Sequence, residues 1–145
     1  MENTGETLRY LTISEILRVA EKHVGSYQLL NENQLHYLVE IVSAKLGDTE
    51  LFPTLPQKAA VYAHHIITGH IFVDGNKRIG IACALWFLVL NGCPSDLNID
   101  DSIIKLGFKV ANGTISDHEV IAEHIRSWIR RQIDESVVFT LDMLN

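Results

Sequence analysis

Twelve consecutive residues near the middle of the chain, Ile79 to Leu90 (IGIACALWFLVL), carry no charge and are apolar on nearly every face of a helix. A bilayer span needs roughly 20 such residues, so this run is too short to cross a membrane and must be buried by other parts of the protein. Asn91-Gly92 gives it a C-cap signal and Pro94 blocks its continuation. Such a helix sets the architecture, because it has to run through the middle of a domain with other helices packed round it. The chain has 145 residues, enough to bury roughly two thirds of its unfolded surface in one core. A single domain over residues 1–145 is expected.

The rest of the pattern is helical too. Thr12 and Glu15 form a capping box, and Ile13, Ile16, Leu17, Ala20 and Val24 then recur at helical spacing, which predicts a first helix from Ile13 to Val24 closed near Gly25. Asn31 and Gln34 open a second helix, carried by Leu35, Leu38, Val39 and Val42 to about Lys45 and ended by Gly47. Leu46 to Leu55 loses the periodicity and is a loop or a small hairpin. Pro56 suits a first helical turn, and Ala59, Ala60, Ala63 and Ile67 carry a third helix to about Thr68, stopped by Gly69. Beyond the apolar run, Asp100 or Asp101 caps a helix ending at Asn112-Gly113, and Ser116 with Glu119 opens another through Val120, Ile121, Ile125, Trp128 and Ile129. The tail from Val137 to Asn145 is open between an edge strand, a short helix and a docking segment. The fold class is all-α.

Composition narrows function by exclusion. A net charge of −6 argues against a nucleic-acid binder, which needs a basic face to neutralise phosphates. Two cysteines, Cys83 and Cys93, make no disulfide framework, and Met1 to Arg9 lacks the basic start and apolar centre of a signal peptide. A reduced, cytoplasmic setting is the simpler expectation, with no membrane partner.

Immediately before the apolar run stands His70 to Arg78, H-I-F-V-D-G-N-K-R. It supplies a base, a carboxylate, a turn-forming glycine and two cations ahead of a helix. With Gly75 bending the chain, the N–H groups of Gly75 through Arg78 can converge on an anion at the positive end of the helix dipole. A polyphosphate fits such a nest.

The stretch carries every fixed position of H-x-F-x-[D/E]-G-N-x-R, the signature of the Fic/Doc family, which the chain therefore resembles. With each fixed position worth a few per cent, chance supplies such a match on the order of once in a million chains. The resemblance implies a Fic/Doc-type helical bundle with one buried central helix and a small flap, placed at Leu46 to Leu55, which docks a target peptide by strand addition. Lys77 stands where ordinary Fic enzymes have a second Gly, and Ile81 where they have a further Arg. Both departures are similar to the Doc, or death-on-curing, branch of toxin–antitoxin systems. That likeness implies transfer of the γ-phosphate of Mg-ATP to a Ser or Thr hydroxyl of a target protein, elongation factor Tu being the known kind of target. Ordinary Fic enzymes bind ATP the other way round and transfer AMP, which is the alternative here. A third reading is a binding protein that keeps the fold without turnover.

In the leading reading His70 takes the proton of the acceptor hydroxyl. Asp74 holds Mg²⁺ through one carboxylate. Gly75 turns the backbone under the ligand, Asn76 donates its side-chain amide to a phosphate, and Lys77 and Arg78 bind phosphate oxygens as point charge and planar fork. Phe72, with Ile71, packs to fix the loop. Each has a plainer role beside this: a cap for His70 or Asn76, an Asx turn for Asp74, a simple turn glycine for Gly75, a solvated pair for Lys77 and Arg78. A cation in the first turn of a helix opposes the dipole unless an anion is present, which favours function for Arg78. His64 and His65 raise a metal site with His70, but neighbouring helical residues point about 100° apart and the spacing fits no zinc pattern. The chain contains no [S/T]-x-x-x-E-[G/N] inhibitory string, consistent with control by a separate antitoxin. The Gly-rich stretch with an R-D pair that usually precedes the flap in the death-on-curing branch is missing around Gly25 to Asn33.

Overall fold

A computed structural model describes residues 8–93 and 101–144 of the chain, with side chains over 8–93 and 102–131. Six helices and one short hairpin follow in the order α1 (Ile13–Val24), α2 (Glu32–Ile41), β1 (Lys45–Leu46), β2 (Thr49–Glu50), α3 (Leu55–Thr68), α4 (Asn76–Leu90), α5 (Asp101–Ala111) and α6 (His118–Leu144). No helix among the described residues is long and apolar enough to cross a membrane.

The capping box opens α1 as its sequence predicts. The Thr12 hydroxyl accepts from Glu15 N at 3.1 Å and Glu15 returns an acceptor to Thr12 N at 3.0 Å, which satisfies two donors that a helix start leaves free. Those hydrogen bonds, from the Thr12 backbone first, hold the Glu15 carboxyl below its ordinary range. A second box, Thr54 with Gln57, starts α3 and was not read from the sequence.

The second helix stops at Ile41, short of the expected Lys45. Lys45 and Leu46 instead pair antiparallel with Glu50 and Thr49, so Gly47 turns a hairpin rather than ending a helix. Of the two possibilities left open for Leu46 to Leu55, the hairpin is realised, one residue earlier. Its base is fastened to α3 by Lys58, whose side chain is 0% exposed and whose ammonium donates to Glu50 Oε1 at 2.9 Å. The ammonium also stands 5.6 Å from the centre of the Tyr10 ring.

The middle of the molecule belongs to α3 and α4 together. α3 buries Ala59, Ala60, Val61, Tyr62, Ala63, Ile66 and Ile67, packs along α4 over most of its length, and also touches α2, α5 and α6. Gly80 permits the close approach: a Cβ there would sit 2.9 Å from Ile67 Cγ1 and 3.1 Å from the Ala63 carbonyl. α4 buries Ile79, Cys83, Ala84, Phe87 and Leu88. Its opposite face is not enclosed as the all-apolar pattern suggested. Trp86 is 44% exposed, and with Leu85 and Val89 it borders an open groove between α1 and α4.

The last two helices complete the packing. α5 begins at Asp101, while Asp100 and Pro94 lie outside the described residues. α6 is capped by Asp117 rather than Ser116: Asp117 Oδ1 accepts from Glu119 N at 2.7 Å. Glu119 is not the reciprocal partner of a box but accepts from Gln57 Nε2 at the start of α3. The backbone of the tail continues α6 as helix to Leu144.

Candidate functional site

The segment from Gly69 to Gly75 joins α3 to α4 and is held from outside like an edge strand. Leu30 N and Asn31 N donate to the Ile71 carbonyl at 2.7 and 3.1 Å, and Val73 N donates to the Gln28 carbonyl at 2.9 Å. Ile71 and Phe72 point inward and are fully buried, with Phe72 edge-on to Tyr27 at 5.7 Å. Both therefore pack beneath the segment, as their sequence positions suggest. Val73 and Asp74, which follow, are exposed.

Two features preset this loop. His70 has φ 48°, the one positive φ outside glycine among the described residues, a conformation that costs an ordinary L-residue about 1–2 kcal/mol. Asn31 stabilises it by donating its amide to the Gly69 and His70 carbonyls, both at 3.0 Å. Asn31 was read as a helix cap, and it sits at the cap position of α2 without making a side-chain cap bond. At the other end Gly75 takes φ 82° as the N-cap of α4, and a Cβ there would meet Val24 Cγ1 at 2.4 Å. Glycine is required twice over, by conformation and by space.

Of the N–H groups expected to converge on an anion, three are unpaired and one is not. Gly75 N donates to the neighbouring Asp74 Oδ1 at 2.8 Å, so it is engaged within the loop and is not offered to a ligand. The N–H groups of Asn76, Lys77 and Arg78 find no acceptor among the described residues and begin a helix of 15 residues. Three free donors at the positive end of such a helix could receive an anion. The Asn76 side chain is spent largely on the loop: Nδ2 donates to the Phe72 carbonyl at 2.8 Å and Oδ1 accepts from Phe72 N at 3.0 Å. Its backbone N–H, not chiefly its amide, is what it can turn to a phosphate.

Arg78 reaches across to α1 and donates to the His23 carbonyl at 3.1 Å. The last turn of α1 is the negative end of its dipole, so the cation finds local compensation and its position does not by itself demand an anion. Burial, followed by the charges of Lys22 and Arg78, pushes the His23 imidazole below its usual range. Lys77 rests over the Phe108 ring of α5, 5.3 Å from its centre.

These groups line a cleft of about 480 Å³ between the start of α4 and one face of α5, with Ile67 and Ile81 in its walls and His70 and Asp74 among its polar lining. The α5 side, Ile104, Gly107 and Phe108, was not read as part of the site, because no local pattern places α5 beside the start of α4. A partial signal was present: Ile103, Leu106 and Val110 share the buried stripe, whereas Ile104 and Phe108, four apart, lie off it and are 48% and 56% exposed. Asp74 keeps one carboxylate oxygen beyond its bond to Gly75, so one protein oxygen would be available to a divalent cation there. His64 and His65 do not line the cleft with His70. They meet His118 of α6 instead.

The arrangement can hold an elongated anion with an apolar end and place an imidazole and a carboxylate at its phosphates. No curated protein matches the chain. A profile described as the Fic/DOC family matches residues 8–88, from the entry to α1 to the end of the buried face of α4, and so takes in the hairpin, the loop and the nest together. With more than half the chain matched and the helical fold in place around an intact signature, the protein belongs to the Fic/DOC family.

Proposed function

We propose that the protein transfers the γ-phosphate of Mg-ATP to a Ser or Thr hydroxyl of a target protein, as a Doc-like toxin. Proteins of the Fic/DOC family often have transferase activity, act on protein targets and have antitoxin partners. The observation that carries the reading is the trio of free N–H groups at Asn76, Lys77 and Arg78, opening into the same cleft as the His70 ring.

The triphosphate would lie on these donors with Lys77 and Arg78 adding charge, and Asp74 would hold the accompanying Mg²⁺ through its free oxygen, the ion offsetting phosphate charge. The exposed Phe108 face offers the adenine a stacking surface, in which case Lys77 leaves that ring for the phosphates. His70 accepts the proton of the acceptor hydroxyl as its oxygen bonds to the γ-phosphorus. The bond from that phosphorus to the bridging oxygen breaks, and ADP leaves.

Ile81 favours phosphate over AMP transfer. It lines the cleft with an apolar side chain where an ordinary Fic enzyme has a second arginine for its oppositely directed ATP. Incubation with a cell extract and labelled ATP tests this: label from the γ position should reach a protein and label from the α position should not. The reverse pattern makes the protein an AMP transferase, and label from neither makes it a binding protein.

The target's extended segment would dock on the β1–β2 hairpin, with elongation factor Tu as the first candidate to assay. The groove between α1 and α4, lined by Arg18, Lys22, Leu85 and Trp86, suits an amphipathic antitoxin segment. The free thiols of Cys83 and Cys93 agree with a reducing cytoplasmic setting.

A further inference from the structure

On the α6 side of α3, opposite in purpose to the cleft, three histidines converge. One ring nitrogen from each of His64, His65 and His118 lies within 4.8 Å of the others, the only such group of metal-ligating side chains among the described residues. The earlier objection was that neighbours on one helix cannot share an ion. It is met by the third ring, which comes from α6: the His118 ring centre is 4.5 Å from that of His64 and 6.1 Å from that of His65.

The cluster is polar without being satisfied. His64 Nδ1, His65 Nδ1 and His118 Nε2 are each buried and have no hydrogen-bond partner. Leaving one such nitrogen dry costs about 1–3 kcal/mol, and three together need a reason. Phe52 stands against His118 at 5.3 Å and Tyr37 against His65 at 5.4 Å, giving the group an aromatic wall. Burial pushes all three imidazoles down, His65 to about 4, so their lone pairs stay free at neutral pH.

We infer that His64, His65 and His118 form a binding site for a divalent transition-metal ion of the Zn²⁺ kind, separate from the Mg²⁺ of the nucleotide cleft. Imidazole selects such ions, whereas Mg²⁺ takes oxygen ligands. A tetrahedral centre with Zn–N of about 2.0–2.1 Å sets its nitrogens about 3.4 Å apart, so the rings close in by up to about 1.4 Å, within reach of side-chain rotation. Water fills the fourth position. The ion pins the last turns of α3 to the first residue of α6. The His65 carbonyl accepts from Gly69 N at 2.9 Å and the His64 carbonyl from the Thr68 hydroxyl at 2.7 Å, so the pinned turns lead directly into His70. The role is structural, and nothing in it depends on which group the cleft transfers.

The test uses the full, untagged chain stripped with a chelator and titrated with Zn²⁺ alone by calorimetry, with Tm followed in parallel. One Zn²⁺ per chain is expected, with a rise in Tm. Binding should weaken about 100-fold or more in His118→Gln and in His65→Gln. It should be unchanged in His36→Gln and His124→Gln, which alter exposed histidines, and in Asp74→Asn. No binding by the parent, equal binding by His118→Gln, or loss of binding in Asp74→Asn would each overturn the assignment. Should the cluster variants fail to fold, the parent loaded with Co²⁺ decides: the intense visible absorption of a four-coordinate ion supports the site, and its absence removes it.

Discussion

At its first turns α3 buries the Lys58 ammonium completely and answers it with Glu50, whereas just past its last turn the chain leaves the His70 ring exposed on a strained backbone and three helix-start N–H groups without acceptors. Free N–H groups begin any helix, but a buried ammonium at one end and a strained, exposed imidazole at the other are not what a plain helical bundle needs. At the first end every group is satisfied, and the result is a fastening for the hairpin. At the second the groups are held in place but not neutralised, because neighbours bond to the carbonyls and side chains around them and leave the working atoms free. The fastening and the candidate site thus differ in what remains unpaired.

The sharpest way to break this contrast is His70. His70→Ala should lower transfer by about 10²–10⁴-fold, measured as γ-label incorporation. His70→Gly should be equally inactive yet more stable by about 0.5–1 kcal/mol in urea unfolding, because glycine tolerates the φ of 48°. A His70→Gly protein less stable than its parent would mean that the ring is part of the architecture after all.

The fastening end should show the opposite signature. Glu50→Ala leaves a buried ammonium without its carboxylate, with only the Val42 carbonyl at 3.5 Å as acceptor, and should cost about 3 kcal/mol, while Lys58→Met, of similar volume, should be nearly neutral. Denaturant unfolding of both variants measures the difference, and equal losses would refute the pairing as its cause. Gly75 tests the geometry between the two ends. Gly75→Ala combines a disfavoured φ with a clash against Val24 and should cost about 2 kcal/mol, with nucleotide affinity falling as well. The smallest effect is expected at the cleft wall: Phe108→Ala should raise the KM for ATP by about 1 kcal/mol's worth, roughly fivefold, and leave kcat unchanged.

Local patterns were legible where the partners are neighbours in sequence. Thr12 and Glu15 cap α1 as read, Gly25 and Gly69 close their helices, and Phe72 packs under the loop. Reading failed where a residue serves two masters. Gly47 is as good a helix stop as a hairpin turn, and only the pairing of Lys45 with Glu50 chose the hairpin. Asn31 and Asn76 both have the composition of caps. Their amides went instead to the loop carbonyls, one from 38 residues away, a distance no local rule spans. Phe108 and Ile104 were hidden in the same way, since an apolar residue in a helix looks like core until the neighbouring helix is placed.

The chain by itself determined an all-helical domain, the nine-residue signature and the glycine on which it turns, because periodicity, capping and φ preference act between residues a few positions apart. Only the tertiary structure decided which N–H groups stay free, that α5 walls the cleft, that Arg78 answers the end of α1, and that His118 joins His64 and His65 across 53 residues of chain. Burial and hydrogen-bond satisfaction are properties of the packed whole, and no short stretch of sequence contains the neighbours that fix them.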